Sequence, residues 1–168
     1  MKTKSTAIAV KSATSADRRP GISSLESHLG YWMRYVSNHV SYAFARSLQT
    51  QDVTVAEWVV MRELYDVEEA APSRLAELLG MTRGAISKLA ERLIAKSLVR
   101  RRLNPHDGRA QTLTLTGTGS RLVPKLAALA DQNDAEFFGH LVPEEQQAIE
   151  RILKEVVERR GLKSVPVD

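Results

Sequence analysis

Leu98-Val99-Arg100-Arg101-Arg102 leads into the polar run Asn104-Pro105-His106-Asp107-Gly108-Arg109, and the chain returns as Gln111-Thr112-Leu113-Thr114-Leu115. The returning segment alternates polar and apolar residues without a break, which is the pattern of a half-buried strand. The run between the two arms holds turn-forming Asn, Asp and Gly, so the whole stretch predicts a β-hairpin with a cationic first arm. It is the one convincing strand signal in a chain of 168 residues. Helical spacing dominates on both sides of it.

Immediately upstream, Thr82 is placed to cap a helix from Arg83 to about Lys96 whose Ile86, Leu89, Leu93 and Ile94 face inward. Before that, Pro72-Ser73 opens a short helix over Arg74 to Leu79, closed by Gly80. Further back, Thr54 and Glu57 have the spacing of a capping box, with Val53 and Trp58 as its hydrophobic staple. That helix runs through Val59, Val60, Met61 and Leu64 and stops near Asp66. The first helix is predicted from Ile22 or Ser23 to Leu48, on the stripe Leu25, Leu29, Trp32, Val36, Val40 and Ala43. Beside this stripe lies a second, polar-tipped one of Tyr31, Tyr35, His39, Tyr42 and Arg46. Downstream of the hairpin, one helix runs from near Thr116 to about Phe138, and another opens at Pro143 and ends near Gly161.

Composition narrows the function. Hydrophobic residues make up 43% and charged residues 26%, as in an ordinary globular protein. The absence of cysteine excludes disulfides, thiolate metal sites and thiol redox sensing. No apolar run approaches the length of a membrane span, and Ala7-Ile8-Ala9-Val10 is too short for a signal-peptide core, so a cytoplasmic protein with no membrane partner is expected. The net charge of +4 is unevenly spread: residues 1–20 carry +4, residues 80–112 carry +6, and the remainder −6. A basic tail and a basic block on an acidic body suit a polyanion partner, although a solvated basic face has the same signature.

Short helix, glycine turn, longer helix and basic hairpin, in that order, make a winged helix-turn-helix. The expected fold class is therefore mainly α with a small β-wing, a winged helix-turn-helix domain plus an α-helical dimerisation domain. The expected divisions are a disordered basic tail over 1–21, dimerisation helices over 22–50 and 116–161, the DNA-binding domain over 51–115, and a C-terminal tail over 162–168. The second helix of such a pair enters the major groove with its N-terminal residues at base edges. Here that end offers Thr82, Arg83, Gly84, Ser87 and Lys88. Small Gly84 and Ala85 let the backbone come close, Ser87 donates or accepts at a base, and Arg83 or Lys88 reaches guanine or phosphate. Arg92 and Lys96 fall one and two turns further along, better placed for backbone phosphate.

Asp107-Gly108-Arg109-Ala110-Gln111-Thr112-Leu113-Thr114-Leu115-Thr116-Gly117-Thr118-Gly119 resembles the wing signature of the multiple-antibiotic-resistance-regulator (MarR) family. Leu75-Ala76-Glu77-Leu78-Leu79-Gly80-Met81-Thr82 and Leu89-Ala90-Glu91-Arg92-Leu93 are similar to its helix-turn-helix core. The resemblance covers roughly residues 22–161. It implies a homodimer on a palindromic operator in double-stranded DNA, usually a repressor, released by a small molecule. It also implies that Arg109 is the wing-tip arginine entering the minor groove and that Asp107 orients it. One departure stands out: where the family usually has glycine after the recognition helix, this chain has Lys96-Ser97-Leu98. Serine adopts the left-handed conformation poorly, so that helix end is expected to be built differently.

The first and last two helices carry more apolar surface than a small winged-helix core uses, including Ile149, Ile152, Leu153, Val156 and Val157. Pairing them across a two-fold axis accounts for them. The resemblance places an effector pocket between the dimerisation helices and the winged lobe. The matching residues are Tyr31, Trp32, Tyr35, His39, Trp58 and Met61, with Arg34, Arg46 and Arg62 as anion partners. Such aromatic walls suit a small aromatic or phenolic acid, though an aromatic stripe at helical spacing also suits a core. The four histidines form no close-set metal-ligand pair, and no cofactor is expected. An enzyme is disfavoured, because there is no phosphate loop or nucleophile elbow, and Glu68-Glu69 reads as solvated charge in a loop. The alternative to a ligand-controlled transcriptional regulator is an interaction or architectural module that reuses the winged helix without specific operator binding.

Overall fold

The computed structural model describes residues 22–104 and 107–162, and side chains over these ranges apart from 103, 104 and 107–110. The tail expected over 1–21, and all of that expected over 162–168 except Leu162, lie outside the described residues. The chain divides into two units, Met1–Val36 and Ser37–Asp168.

In the first unit a single 3₁₀ turn, Leu25–Ser27, precedes helix α1 (Leu29–Gln49), so the long helix starts later than its apolar stripe suggests. The Ser24 carbonyl is the reason. It accepts from the Ser27 N–H at 3.1 Å and Ser27 Oγ at 2.6 Å, and lies 2.9 Å from His28 Nδ1. These short-range bonds favour a turn over helix, and His28 is extended at φ −96°. Trp32 Nε1 then donates to the Glu26 carbonyl at 2.8 Å, folding the turn onto the first rise of the helix.

In the second unit the end of α1 contributes Phe44 and fully buried Leu48 to the core. Helix α2 (Val55–Val67) starts as its sequence predicts. Glu57 N donates to Thr54 Oγ1 at 3.2 Å, and Thr54 N donates to Glu57 Oε2 at 2.9 Å. Strand β1 (Glu69–Ala70), helix α3 (Pro72–Leu79) and helix α4 (Arg83–Ala95) follow. Gly80 closes α3 at φ 61°, a left-handed cap that glycine adopts without cost.

Strands β2 (Val99–Asn104) and β3 (Asp107–Leu115) form the hairpin, and β1 joins its far edge to give an antiparallel sheet in the order β1-β3-β2. The pairing register includes Val99 with Leu115, Arg101 with Leu113 and Arg102 with Thr112. The two-residue strand β1 corrects the loop expectation at Glu68-Glu69: Glu69 pairs with Thr114 and Ala70 with Leu113. Two residues are too few for an alternation signal, so only the partner strand defines them.

The end of α4 is a second correction. Ser97 takes the left-handed conformation itself, at φ 57°. Its N–H donates to the Ile94 carbonyl at 2.9 Å, and the Leu98 N–H to the Leu93 carbonyl at 2.9 Å. That is a Schellman cap with serine in the glycine position, and buried Leu93 and Leu98 supply its hydrophobic contact. Helices α5 (Gly117–Phe138) and α6 (Pro143–Arg160) complete the unit. Thr116 caps α5 by accepting from the Gly119 N–H at 3.0 Å. Leu64, Leu75, Ile86, Leu93, Leu113 and Leu126 are all 1% exposed or less, so one core joins helices α2 to α5 to the sheet. Each such side chain stabilises the fold by about 1.5–3 kcal/mol. Helix α6 has no buried residue.

Candidate nucleic-acid interface

Helix α4 shows how the candidate interface is made. Thr82 is extended and accepts from the Ala85 N–H at 3.1 Å, satisfying one of the open donors at the helix start. Ile86, Leu89, Ala90 and Leu93 then turn into the core. With that face spent, Thr82, Arg83, Gly84, Ser87 and Lys88 are all exposed, on one side of the first two turns. A Cβ at Gly84 would meet nothing within 4 Å, and its φ is not positive. Neither packing nor backbone conformation within the protein requires glycine at that position.

The basic block separates into two classes. Arg92 Nε lies 3.3 Å from Glu57 Oε1, and Lys96 Nζ lies 3.1 Å from Glu57 Oε2. Lys96 Nζ also donates to the Asp52 carbonyl at 2.5 Å. Arg101 pairs with Glu91 at 3.7 Å and Arg102 with Glu69 at 3.3 Å. By contrast, Arg83, Lys88 and Arg100 have no ion-pair partner among the described residues. Lys96 is only 26% exposed in its side chain, so it serves the protein's own carboxylate and carbonyl rather than the phosphate role its sequence position suggests. Arg92 is 56% exposed, and the nitrogen that pairs with Glu57 is Nε.

Glu57 is the only carboxylate at 1% exposure among the described residues. Burial raises its pKa, but the Thr54 backbone N–H and the Lys96 ammonium outweigh that, and the net shift is downward. Its capping role was legible in the sequence. Its pairing with Arg92 and Lys96 was not, since those residues are far along the chain and their i, i+4 spacing is common on any helix.

The hairpin root is similarly tied. Glu69 accepts from Thr112 Oγ1 at 2.6 Å and from Arg102, and Thr114 Oγ1 donates to the Glu68 carbonyl at 2.9 Å. Glu69 is therefore a wing anchor, not merely solvated charge. The side chains of Asp107 and Arg109, assigned to the wing tip, lie outside the described residues.

The residues expected to bind an effector have different fates. Tyr31 and Trp32 meet edge to face at 5.2 Å between centroids, and Tyr31 and Tyr35 are 6.2 Å apart, an aromatic cluster within the first unit. In the second unit Trp58 and Met61 are core residues, at 9% and 0% exposure, because the α2 capping box turns them inward. Arg62 is exposed and pairs with Asp66, one turn along the same helix. His39 is exposed on α1. Among the described residues no helix is long and apolar enough to cross a membrane.

Residues 51–110 match the MarR family. The transcriptional regulator HosA of Escherichia coli O111:H- is 27% identical over 106 residues, covering 63% of this chain and 78% of that protein. A mutant E. coli MarR, solved in complex with operator DNA, superposes with a TM-score of 0.69 at 25% identity, covering 77% of this chain and 93% of that one. BpsR of Bordetella bronchiseptica, whose DNA binding is described as regulated by 6-hydroxynicotinic acid, superposes with a TM-score of 0.71 at 25% identity, covering 81% of this chain and 97% of that one. With the helix order, the wing and the α4 surface already in place, residues 51–110 carry a MarR-type winged helix-turn-helix, and the chain is similar beyond them to transcriptional regulators of that family.

Proposed function

We propose that the protein is a cytoplasmic homodimeric repressor that binds a palindromic operator and is released by a small aromatic or phenolic anion. One observation carries the reading: among the described residues Arg83 and Lys88, at the exposed start of α4, have no ion-pair partner, while Arg92, Lys96, Arg101 and Arg102 are paired with the protein's own acids. Unpaired cations flanking a glycine with open space suit close approach of a polyanion. In this reading Thr82, Arg83, Gly84, Ser87 and Lys88 face the major groove, Arg92 faces phosphate, and Arg109, oriented by Asp107, enters the minor groove. The operator complex of the MarR relative supports the same use of the fold.

Residues 51–115 are the DNA-binding domain, 22–50 and 116–161 the dimerisation region, and 1–21 and 162–168 tails. Support for the dimer comes from α6, where Ile149, Ile152, Leu153, Val156 and Val157 form one apolar row exposed at 41–48%. A row of that length without cover is unusual on a monomer. The effector reading rests on the Tyr31–Trp32–Tyr35 cluster, whose rings offer flat apolar contact to an aromatic acid, and on the ligand named for BpsR. Trp58 and Met61 drop out of it as core residues.

Selection of bound DNA from a random pool tests the proposal. A palindromic consensus with half-sites about one helical turn apart is the expected result. Recovery of unrelated sequences, with binding that disappears at physiological salt, would leave only an architectural or protein-interaction module.

A further inference from the structure

The Glu57 carboxylate sits at the start of α2, yet its two oxygens reach the last two turns of α4. Oε1 takes Arg92 Nε at 3.3 Å and Oε2 takes Lys96 Nζ at 3.1 Å. Lys96 in turn donates to the carbonyl of Asp52, a non-glycine residue held at φ 53°. Two cations from the end of α4 thus meet one buried anion from α2. A carboxylate at 1% exposure is costly to bury unless it is matched, and here the Thr54 N–H and the Lys96 ammonium hydrogen-bond to Oε2 while the Arg92 guanidinium pairs with Oε1 by charge. The cap alone explains only one of these bonds.

We propose that Glu57 is a positioning residue for DNA binding, which buttresses Arg92 by charge so that its exposed guanidinium meets a phosphate in one preferred pose. Nε is the guanidinium nitrogen that pairs with the carboxylate, at 3.3 Å, and the side chain is 56% exposed, which leaves the group accessible to a phosphate. An arginine held in this way gives up little rotamer freedom when it docks, and phosphate contacts of this kind set the register of a recognition helix on the duplex. Loose, sequence-independent attraction gains nothing from the buttress. For that binding Glu57 is only an unfavourable negative charge. The inference rests on the operator-binding reading above and assigns that reading a residue outside the DNA-facing surface.

Glu57→Gln isolates the effect, because a glutamine still completes the capping box but brings no charge for Arg92 and Lys96. In the full-length protein, affinities for the selected operator and for a random duplex are measured with both the wild type and the variant, together with thermal unfolding. Relaxation of the Arg92 Nε resonance in the DNA-free protein reports the order of its guanidinium, and so the buttress, directly. The expected result is a roughly tenfold loss of operator affinity, with random-duplex affinity unchanged or tighter. The guanidinium, ordered in the wild type, should become mobile in the variant. Equal weakening on both DNAs with a lower melting temperature would make Glu57 a folding residue, and equal tightening on both would make it a mere repelling charge. Either result overturns the proposal, as does an Arg92 guanidinium that is already mobile in the wild type. Failure of the wild type to prefer any operator would instead sink the operator-binding reading, while the resonance still reports on the buttress.

Discussion

Thr116 Oγ1 donates to the Ser97 carbonyl at 2.7 Å while accepting from the Gly119 N–H at 3.0 Å, so a single hydroxyl fastens the end of the recognition helix to the start of α5. The serine it holds lies at φ 57°, where a side chain is disfavoured. Ser97→Gly should therefore raise stability by about 1 kcal/mol, read as a higher urea midpoint with an unchanged slope. A lower midpoint would mean that the serine side chain contributes more than its backbone strain costs.

Two glycines should respond in opposite ways to the same substitution. A Cβ at Gly119 would lie 2.1 Å from the Leu98 carbonyl oxygen, a backbone atom that cannot yield without moving strand β2. Gly119→Ala should destabilise the protein by about 3 kcal/mol. Gly84→Ala meets no atom within 4 Å and should leave the urea midpoint equal or higher. Under the proposed function it nevertheless weakens operator binding, because the added methyl group occupies space the DNA needs.

The separation of paired from unpaired cations predicts salt behaviour. Arg83→Ala and Lys88→Ala should each reduce the slope of log K against log salt by about 1 on operator DNA. Arg101→Ala, which removes a partner of Glu91, should leave the slope nearly unchanged. Equal effects at all three positions would show that the ion pairs open on binding.

Glu57 also sets an acid limit on stability. Its folded pKa is below the ordinary value of 4.5, so the unfolded chain takes up the proton first as the pH falls. The contribution is complete at pH values above 4.5 and is lost as the pH falls through the folded value. Unfolding measured from pH 6 to 3 should show a steeper acid loss for the wild type than for Glu57→Gln. Parallel curves would place the acid sensitivity elsewhere.

The α6 row gives the simplest test of assembly. Leu153→Asp puts a charge on a residue already 41% exposed, so the protomer should keep its fold. Sedimentation should then show a dimer for the wild type and a folded monomer for the variant. A wild-type monomer at micromolar concentration would remove the dimer from the proposed function.

The parts of this protein that could be read from residues alone are those that depend on neighbours in the chain. Thr54 with Glu57, Thr82, Thr116 and Pro143 each open a helix through bonds or constraints within four positions, and all four starts stand where the spacing puts them. The β3 alternation likewise specifies its own faces. The late start of α1 shows the limit of periodicity: the stripe continues through Leu25, but Ser24, Ser27 and His28 make a turn that outweighs it.

What linear reading could not supply depends on residues that meet only after folding. Strand β1 exists because β3 lies beside it, and Ser97 accepts a strained dihedral because Leu98, Thr116 and the core around them leave that helix end no other course. The cations of the basic block look alike along the chain, and the fold alone pairs four of them with Glu57, Glu91 and Glu69 while leaving Arg83 and Lys88 facing outward. Local order is specified by short-range hydrogen bonds and side-chain periodicity. Which charges remain for a partner is settled by distances between segments as remote as Glu57 and Lys96, 39 positions apart.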